Sequence, residues 1–108
     1  MARVRLNSAA ITDFDSFHEE SRRVFGFPEF YGRSMNAWID CMSSLREDDG
    51  MTSFVLDPHD LLHVEVPGAE VLRKRVPEVF AAFADCTAFV NRRLTEMGAL
   101  PAIALVLE

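Results

Sequence analysis

The sequence predicts an α/β fold in which a small parallel sheet is packed by helices. Short apolar runs with strand character lie near both ends and in the middle of the chain, and the segments between them have helical periodicity. Neighbouring parallel strands require such long crossover connections, whereas antiparallel strands do not. The chain has 108 residues, of which 49% are hydrophobic, so we expect one domain over residues 1–108 with a buried core.

The first part of the chain predicts one strand and two helices. Residues 4–6 alternate apolar and polar side chains, as a short strand does. Thr12 is a suitable N-cap for the first helix, and Gly26 ends that helix because glycine readily adopts the left-handed C-cap conformation. After a loop rich in aromatic residues, Ser34 caps a second helix that runs to about Leu45 and carries an apolar stripe.

The rest of the chain predicts two strands separated by one or two helices. Residues 52–56 form a short apolar run suited to a central strand. The helices lie within 69–97, and Pro77 can begin the longer one because its missing N–H costs nothing there. Their boundaries between 58 and 85 stay open. Residues 102–107 are apolar without alternation, which indicates a final strand buried on both faces.

Most of the aromatic residues have the spacing of core positions. We expect six phenylalanines in the core: Phe14, Phe17, Phe54, Phe80, Phe83 and Phe89. Trp38 is expected in the core or half-buried, and Cys41 is expected to point inward. The two cysteines, Cys41 and Cys86, are too few for a disulfide framework and are interpreted as reduced, buried thiols. The histidines match no metal or catalytic motif and are expected at the surface or half-buried: His18, His59 and His63.

The charge balance narrows the class of partner. Seventeen acidic and eleven basic side chains give a formal net charge of -6, which disfavours binding to a phosphate backbone and suits a basic protein partner. No run approaches the ~18 consecutive apolar residues of a membrane helix. The first residues lack the apolar segment of a secretory signal, so we expect a cytoplasmic protein that binds neither nucleic acid nor membrane.

The sequence contains no recognisable catalytic, cofactor or metal motif. No serine lies in a GxSxG elbow, and the five glycines are scattered rather than gathered in a phosphate loop. Asp57, at a predicted strand end, and His63 leave a small enzyme as an alternative, although a helix-opening role explains an Asp before Pro58 more simply. We therefore expect no enzyme activity, no cofactor and no metal.

The polar face of the second helix is the strongest candidate for a binding surface. Asp40 lies in the middle of this helix, on the side opposite to the apolar stripe. The surroundings combine polar residues of the helix, two aromatic residues of the preceding loop and three acids of the following turn: Asn36, Ser43, Arg33, Ser44, Phe30, Tyr31, Glu47, Asp48 and Asp49. The alternative is an ordinary solvated helix face beside a polar turn.

Residues 27–42, FPEFYGRSMNAWIDCM, resemble the signature of the barstar family. That signature is an apolar residue, Pro, an acid, two aromatic residues and Gly, followed by a helix with an Asn or similar cap, Ala, and Asp-Cys-Leu. About sixteen consecutive positions fit, with Asp40 and Cys41 at the Asp-Cys step. The resemblance covers nearly the whole chain, although residues 58–75 are longer than in barstar.

The resemblance implies a three-stranded parallel sheet packed by about four helices. It also implies a monomer that inhibits an extracellular, guanyl-specific microbial ribonuclease in a 1:1 complex while that enzyme is still inside the producing cell. In the family the Asp before Cys, here Asp40, enters the basic active site. The expected partner-binding residues are Asp40, Asn36, Tyr31, Phe30, Ser34, Ser43 and Ser44. An immunity or interaction module for a different toxin or regulatory partner is the alternative.

Several positions around the Asp-Cys step depart from the family member that inhibits barnase. Asn36 stands where that protein has a second Asp, and Ser34 stands where it has Asn. A supporting Glu on the last helix has no clear counterpart, since the local candidates are Asn91 and Arg93. The main anchor, Asp40, is kept while several neighbouring positions differ. The sequence therefore does not identify the target ribonuclease, which need not be barnase.

Overall fold

A computed structural model describes residues 2–108 as an α/β fold, which confirms the predicted fold class. Three parallel strands and four α-helices are described, with one 3₁₀ turn at Ser8–Ala10. The order along the chain is β1 Arg3–Arg5, α1 Phe14–Phe25, α2 Met35–Ser43, β2 Leu62–Val66, α3 Ala69–Arg75, α4 Pro77–Glu96 and β3 Ile103–Leu107. Within residues 2–108, no helix combines the length and apolarity needed to cross a membrane.

The sheet has the order β1-β2-β3, with β2 in the centre. Val64 pairs with Val4 on one side and with Leu105 on the other. Because all three strands are parallel, each connection must return to the end of the sheet at which the strands begin. The first crossover contains α1 and α2, and the second contains α3 and α4. In β2 the side chains alternate between fully and partly buried positions, which marks one face as the floor of the core.

The central strand is not at residues 52–56, as predicted, but at Leu62–Val66. Residues 52–56 are irregular, and their backbone bonds go to helix ends: Ser53 N donates to Phe25 O at 3.0 Å, and Leu56 N donates to Leu45 O at 2.7 Å. This run is therefore anchored by its backbone near the ends of α1 and α2 rather than paired in the sheet, and of its apolar side chains only Leu56 is buried. The true strand carries the period-2 alternation of a half-covered sheet.

The ends of the helices follow local capping chemistry. Asp13, rather than the predicted Thr12, is the N-cap of α1, because its carboxylate accepts from Ser16 N at 2.8 Å while Ser16 Oγ accepts from Asp13 N at 3.0 Å. Gly26 ends α1 with φ of 69°, as predicted. Ser34 caps α2 as predicted, accepting from Ala37 N at 3.1 Å.

An aromatic cluster joins α1, α2 and α4 above the sheet. The rings of Phe17 and Phe83 lie 5.4 Å apart, and Trp38, fully buried, lies about equally close to both, at 6.2 and 6.0 Å. Phe54 and Phe80 are partly buried. The predicted core positions of Phe14 and Phe89 are wrong: both rings are exposed, at the first turn of α1 and on the outer side of α4.

Three further expectations about burial are wrong. The final strand β3 is not buried on both faces, since only Ile103 is buried, the next three residues are half-buried and Leu107 at its end is exposed. His18 is buried rather than near the surface, since it faces the aromatic loop from α1. Cys41 and Trp38 point inward as expected, whereas Cys86, also expected to be buried, is only half-buried on α4.

Candidate partner-binding surface

The two sides of α2 differ sharply in burial. Trp38, Cys41 and Met42 are buried against the core, and this packing fixes the helix in place. On the opposite side Asn36 and Asp40 are exposed, and the carboxylate side chain of Asp40 is 68% exposed. The carboxylate of Asp40 thus lies in the middle of a rigid helix, where the free backbone N–H groups of the helix N-terminus do not bind it.

The loop before α2 presents one aromatic ring and buries the next. Phe30 is 77% exposed, whereas Tyr31 is 7% exposed, and its ring lies 4.7 Å from that of Phe27. The hydroxyl of Tyr31 lies 2.5 Å from Nδ1 of His18. Burial raises the pKa of Tyr31, so its hydroxyl stays protonated, and burial lowers the pKa of His18, with a further contribution from Arg33. Both groups are therefore neutral near pH 7.

A small recess lies between this loop and α2. Its volume is about 120 Å³, and its lining consists of Phe30, Tyr31, Gly32, Ala37, Asp40, Cys41 and Met51. Burial, together with the charges of Asp40 and Asp49, raises the pKa of the Cys41 thiol to about 11. The thiol is therefore protonated and unreactive, and the recess offers an apolar wall beside one carboxylate.

Arg93 reaches this surface from α4, which packs against α2. Its Nη1 lies 3.5 Å from Oδ1 of Asp40 and 3.4 Å from Oγ of Ser43, and its guanidinium lies 5.2 Å from the centre of the Phe89 ring. The sequence marked Arg93 as a candidate position but predicted no contact with Asp40. Finding that contact requires the relative placement of α2 and α4, whose contacting residues Ser43 and Arg93 are 50 positions apart in sequence.

The serines on this surface are already engaged in local bonds. Ser34 Oγ is taken up by the N-cap of α2, and Ser43 Oγ donates to Ile39 O at 2.6 Å. Ser44 Oγ lies 3.5 Å from Asp40 O, at the outer limit for a hydrogen bond. We define the α2 surface as the seven residues that the sequence predicts to bind a partner, together with Arg93: Phe30, Tyr31, Ser34, Asn36, Asp40, Ser43, Ser44 and Arg93.

Other polar groups of the fold serve local structure. Asp57 Oδ1 accepts from His59 N at 2.9 Å, as a turn-opening residue does. A recess of about 560 Å³ runs along α1, but its lining carries charges of both signs, and Arg23 there is paired with Glu20 at 2.6 Å. Within residues 2–108, no group of three or more His, Cys, Asp or Glu residues is arranged to hold a metal.

Comparison with known proteins agrees with the resemblance of residues 27–42. A search of the curated proteins finds no match. The family model described as Barstar (barnase inhibitor) matches residues 1–106. The members of that family are inhibitors that bind a ribonuclease and are not enzymes. With nearly its whole length matched, this chain belongs to the Barstar family.

Proposed function

We propose that this protein inhibits a guanyl-specific extracellular microbial ribonuclease by placing its α2 surface over the active site of that enzyme. The observation that carries the proposal is the side chain of Asp40. It is an exposed carboxylate on the outer side of a helix whose inner side is locked into the core. Family membership supports the ribonuclease as the class of partner.

Asp40 is suited to replace a phosphate group in the complex. The active site of a ribonuclease must offer fixed cationic and hydrogen-bond donors to a phosphodiester, and these groups would bind a carboxylate in the same position. A carboxylate has no scissile bond, so the enzyme is blocked and not turned over. Because α2 is rigid, little conformational entropy is lost when Asp40 becomes ordered in the complex.

Phe30 and the polar side chains complete the proposed interface. Phe30 supplies exposed apolar area, and buried Tyr31 holds its loop from beneath and contributes a wall of the recess. Asn36, with Ser34, Ser43 and Ser44, borders Asp40 with neutral polar groups. The net charge of -6 favours rapid encounter with a basic enzyme, at a rate that falls as salt is added.

The remaining parts of the proposal concern the cell and the assembly. We place the protein in the cytoplasm of the cell that makes the ribonuclease, where it protects cellular RNA before the enzyme is exported. It acts as a monomer of one domain in a 1:1 complex, without cofactor and without binding nucleic acid or membrane.

A second candidate is an interaction module for a different toxin or regulatory partner. The pairing of Asp40 with Arg93 favours it, because a neighbouring cation reduces the value of Asp40 as a phosphate substitute. Such a module would depend mainly on the exposed ring of Phe30. The two candidates therefore differ in which of these side chains carries the binding.

The test is a titration of the protein into a panel of guanyl-specific microbial ribonucleases, with RNA cleavage followed at low and at physiological salt. We expect stoichiometric inhibition of at least one enzyme. Asp40→Asn should weaken it by at least about 30-fold, as hot-spot substitutions do. Asp48→Asn makes the same change of charge in the exposed turn after α2 and should change affinity by no more than about 3-fold. Absence of inhibition across the panel would contradict the proposal and favour the second candidate.

A further inference from the structure

The α2 surface contains one cationic side chain, Arg93, directly beside its one carboxylate, Asp40. Arg93 is held by three contacts at once: the carboxylate of Asp40, the hydroxyl of Ser43 and the face of Phe89. These contacts restrict the side chain, which is still 40% exposed and therefore accessible to a partner. Since Arg93 lies 3.5 Å from Asp40, any partner that covers Asp40 must also cover Arg93.

The pair between Arg93 and Asp40 does not by itself explain the presence of the arginine. Asp40 is 68% and Arg93 40% exposed, and an ion pair that is open to solvent in this way contributes little to stability. Covering the pair changes its energetics, because a guanidinium carries five N–H donors and no acceptor. If a partner binds Asp40 with cations and offers Arg93 no acceptor, like charges are brought together in a water-poor interface, which is strongly unfavourable.

We propose that Arg93 is a specificity-determining residue, which selects ribonucleases that carry an acidic side chain at the edge of their basic active site. This inference rests on the proposed function. In the complex, the enzyme's cations bind Asp40 while its carboxylate binds Arg93, so that charges of opposite sign alternate across the interface. A carboxylate is the acceptor that matches a guanidinium in two parallel hydrogen bonds.

The surroundings of Arg93 prepare it for this role. The Phe89 ring and Ser43 Oγ limit the directions in which the guanidinium can point, and α4 is a helix of 20 residues. Less side-chain entropy is then lost on binding. Arg92, the preceding residue, lies 5.5 Å from the same ring but forms no ion pair within the described part of the chain. It provides a matched control.

The experiment uses the ribonuclease of the panel that the wild-type protein inhibits most tightly. Inhibition constants are measured for Arg93→Glu, Arg93→Gln, Arg92→Glu and Asp40→Asn. We expect a loss of about 100-fold for Arg93→Glu and about 10-fold for Arg93→Gln, but no more than about 3-fold for Arg92→Glu. Thermal denaturation of each variant verifies that it is folded.

A complementary change in the enzyme identifies the partner group. The acidic residues that border its active site are replaced by lysine one at a time. One replacement should weaken binding of the wild-type inhibitor and restore binding of Arg93→Glu, which is the coupling expected of a direct pair.

The outcomes separate this inference from the proposed function. If Asp40→Asn loses inhibition while Arg93→Glu binds as tightly as wild type, or more tightly, the proposed function stands and the role of Arg93 is refuted. If no enzyme of the panel is inhibited by the wild-type protein, both fail together.

Discussion

The hydroxyl of Tyr31 and Nδ1 of His18 lie 2.5 Å apart in the interior of the protein, where the two residues are 7% and 3% exposed. This hydrogen bond joins the loop before α2 to the buried side of α1, in the first half of that helix. The loop carries Phe30, the most exposed ring of the α2 surface, so the position of that ring depends on a bond beneath it. Tyr31 thus acts on the candidate surface mainly from inside.

Tyr31→Phe should destabilise the protein by about 1–3 kcal/mol, because it leaves a buried ring nitrogen of His18 without its partner. The measurement is the free energy of unfolding from urea denaturation. Phe30→Ala provides the control, since loss of an exposed ring should change that free energy by no more than about 0.5 kcal/mol. Equal effects of the two substitutions would show that the buried bond contributes nothing specific.

Stability should fall on acidification below about pH 6.5 because of His18. Burial lowers the pKa of its imidazole in the folded protein from the ordinary value of 6.5, and Arg33 lowers it further, whereas Asp15 opposes them. Below pH 6.5 the unfolded chain therefore binds more protons than the folded protein. The contribution of His18 to the free energy of unfolding is fully present above pH 6.5 and is lost as the pH falls through the lowered pKa of the folded state. Urea denaturation from pH 5 to 7.5 should show this slope in the wild type and a smaller one in His18→Gln. Identical slopes would exclude His18 as the cause.

Arg46→Met should lower the free energy of unfolding by about 1.5–3 kcal/mol, the range for hydrogen bonds to a charged group. Arg46 follows α2, and its guanidinium donates to backbone carbonyls of two other segments: Leu100 O at 2.7 Å, Asp60 O at 3.0 Å, Pro101 O at 3.0 Å and Asp57 O at 3.4 Å. It therefore ties α2 to the loops that precede β2 and β3. Arg92→Met, on an exposed side of α4, should cost no more than about 0.5 kcal/mol in the same urea experiment.

Local sequence signals predicted most of the fold, and apart from the shift of the α1 cap from Thr12 to Asp13 the main failures lie where a long-range contact decided the outcome. The caps at Ser34 and Gly26 and the proline at the start of α4 are local, and the structure confirms them. Residues 52–56 have strand composition, but the backbone N–H groups of Ser53 and Leu56 donate to carbonyls at or just after the ends of α1 and α2 and not to a neighbouring strand. The alternation in Leu62–Val66 is itself a local strand signal, but its central place in the sheet follows only from its pairing with β1 and β3.

The same distinction holds for the candidate surface. Helical spacing was sufficient to place Asp40 and Asn36 on the outer side of α2, since the apolar stripe fixes the opposite side. Spacing could not show which of Phe30 and Tyr31 is buried, because the partner of Tyr31 lies on α1. It could not join Arg93 to Asp40 either, because that contact depends on how α4 crosses α2.

Gly26→Ala should destabilise the protein more than Gly50→Ala, although both glycines have positive φ, 69° and 80°. A left-handed backbone costs a non-glycine residue roughly 1–2 kcal/mol, and this cost applies to both. A Cβ at Gly26 would also lie 2.2 Å from Ser53 Cβ, whereas one at Gly50 would meet nothing within 4 Å.

The collision at Gly26 should appear as an additional loss in urea denaturation. Ser53 cannot move away freely, because its backbone N donates to Phe25 O at 3.0 Å. We expect Gly26→Ala to cost at least about 1 kcal/mol more than Gly50→Ala, as overpacked sites do. Adding Ser53→Gly to Gly26→Ala removes the colliding side chain and should recover part of the difference. Equal costs at the two glycines would mean that the residues around Ser53 adjust without strain, and that residues 52–56 are held to α1 less firmly than their backbone bonds indicate.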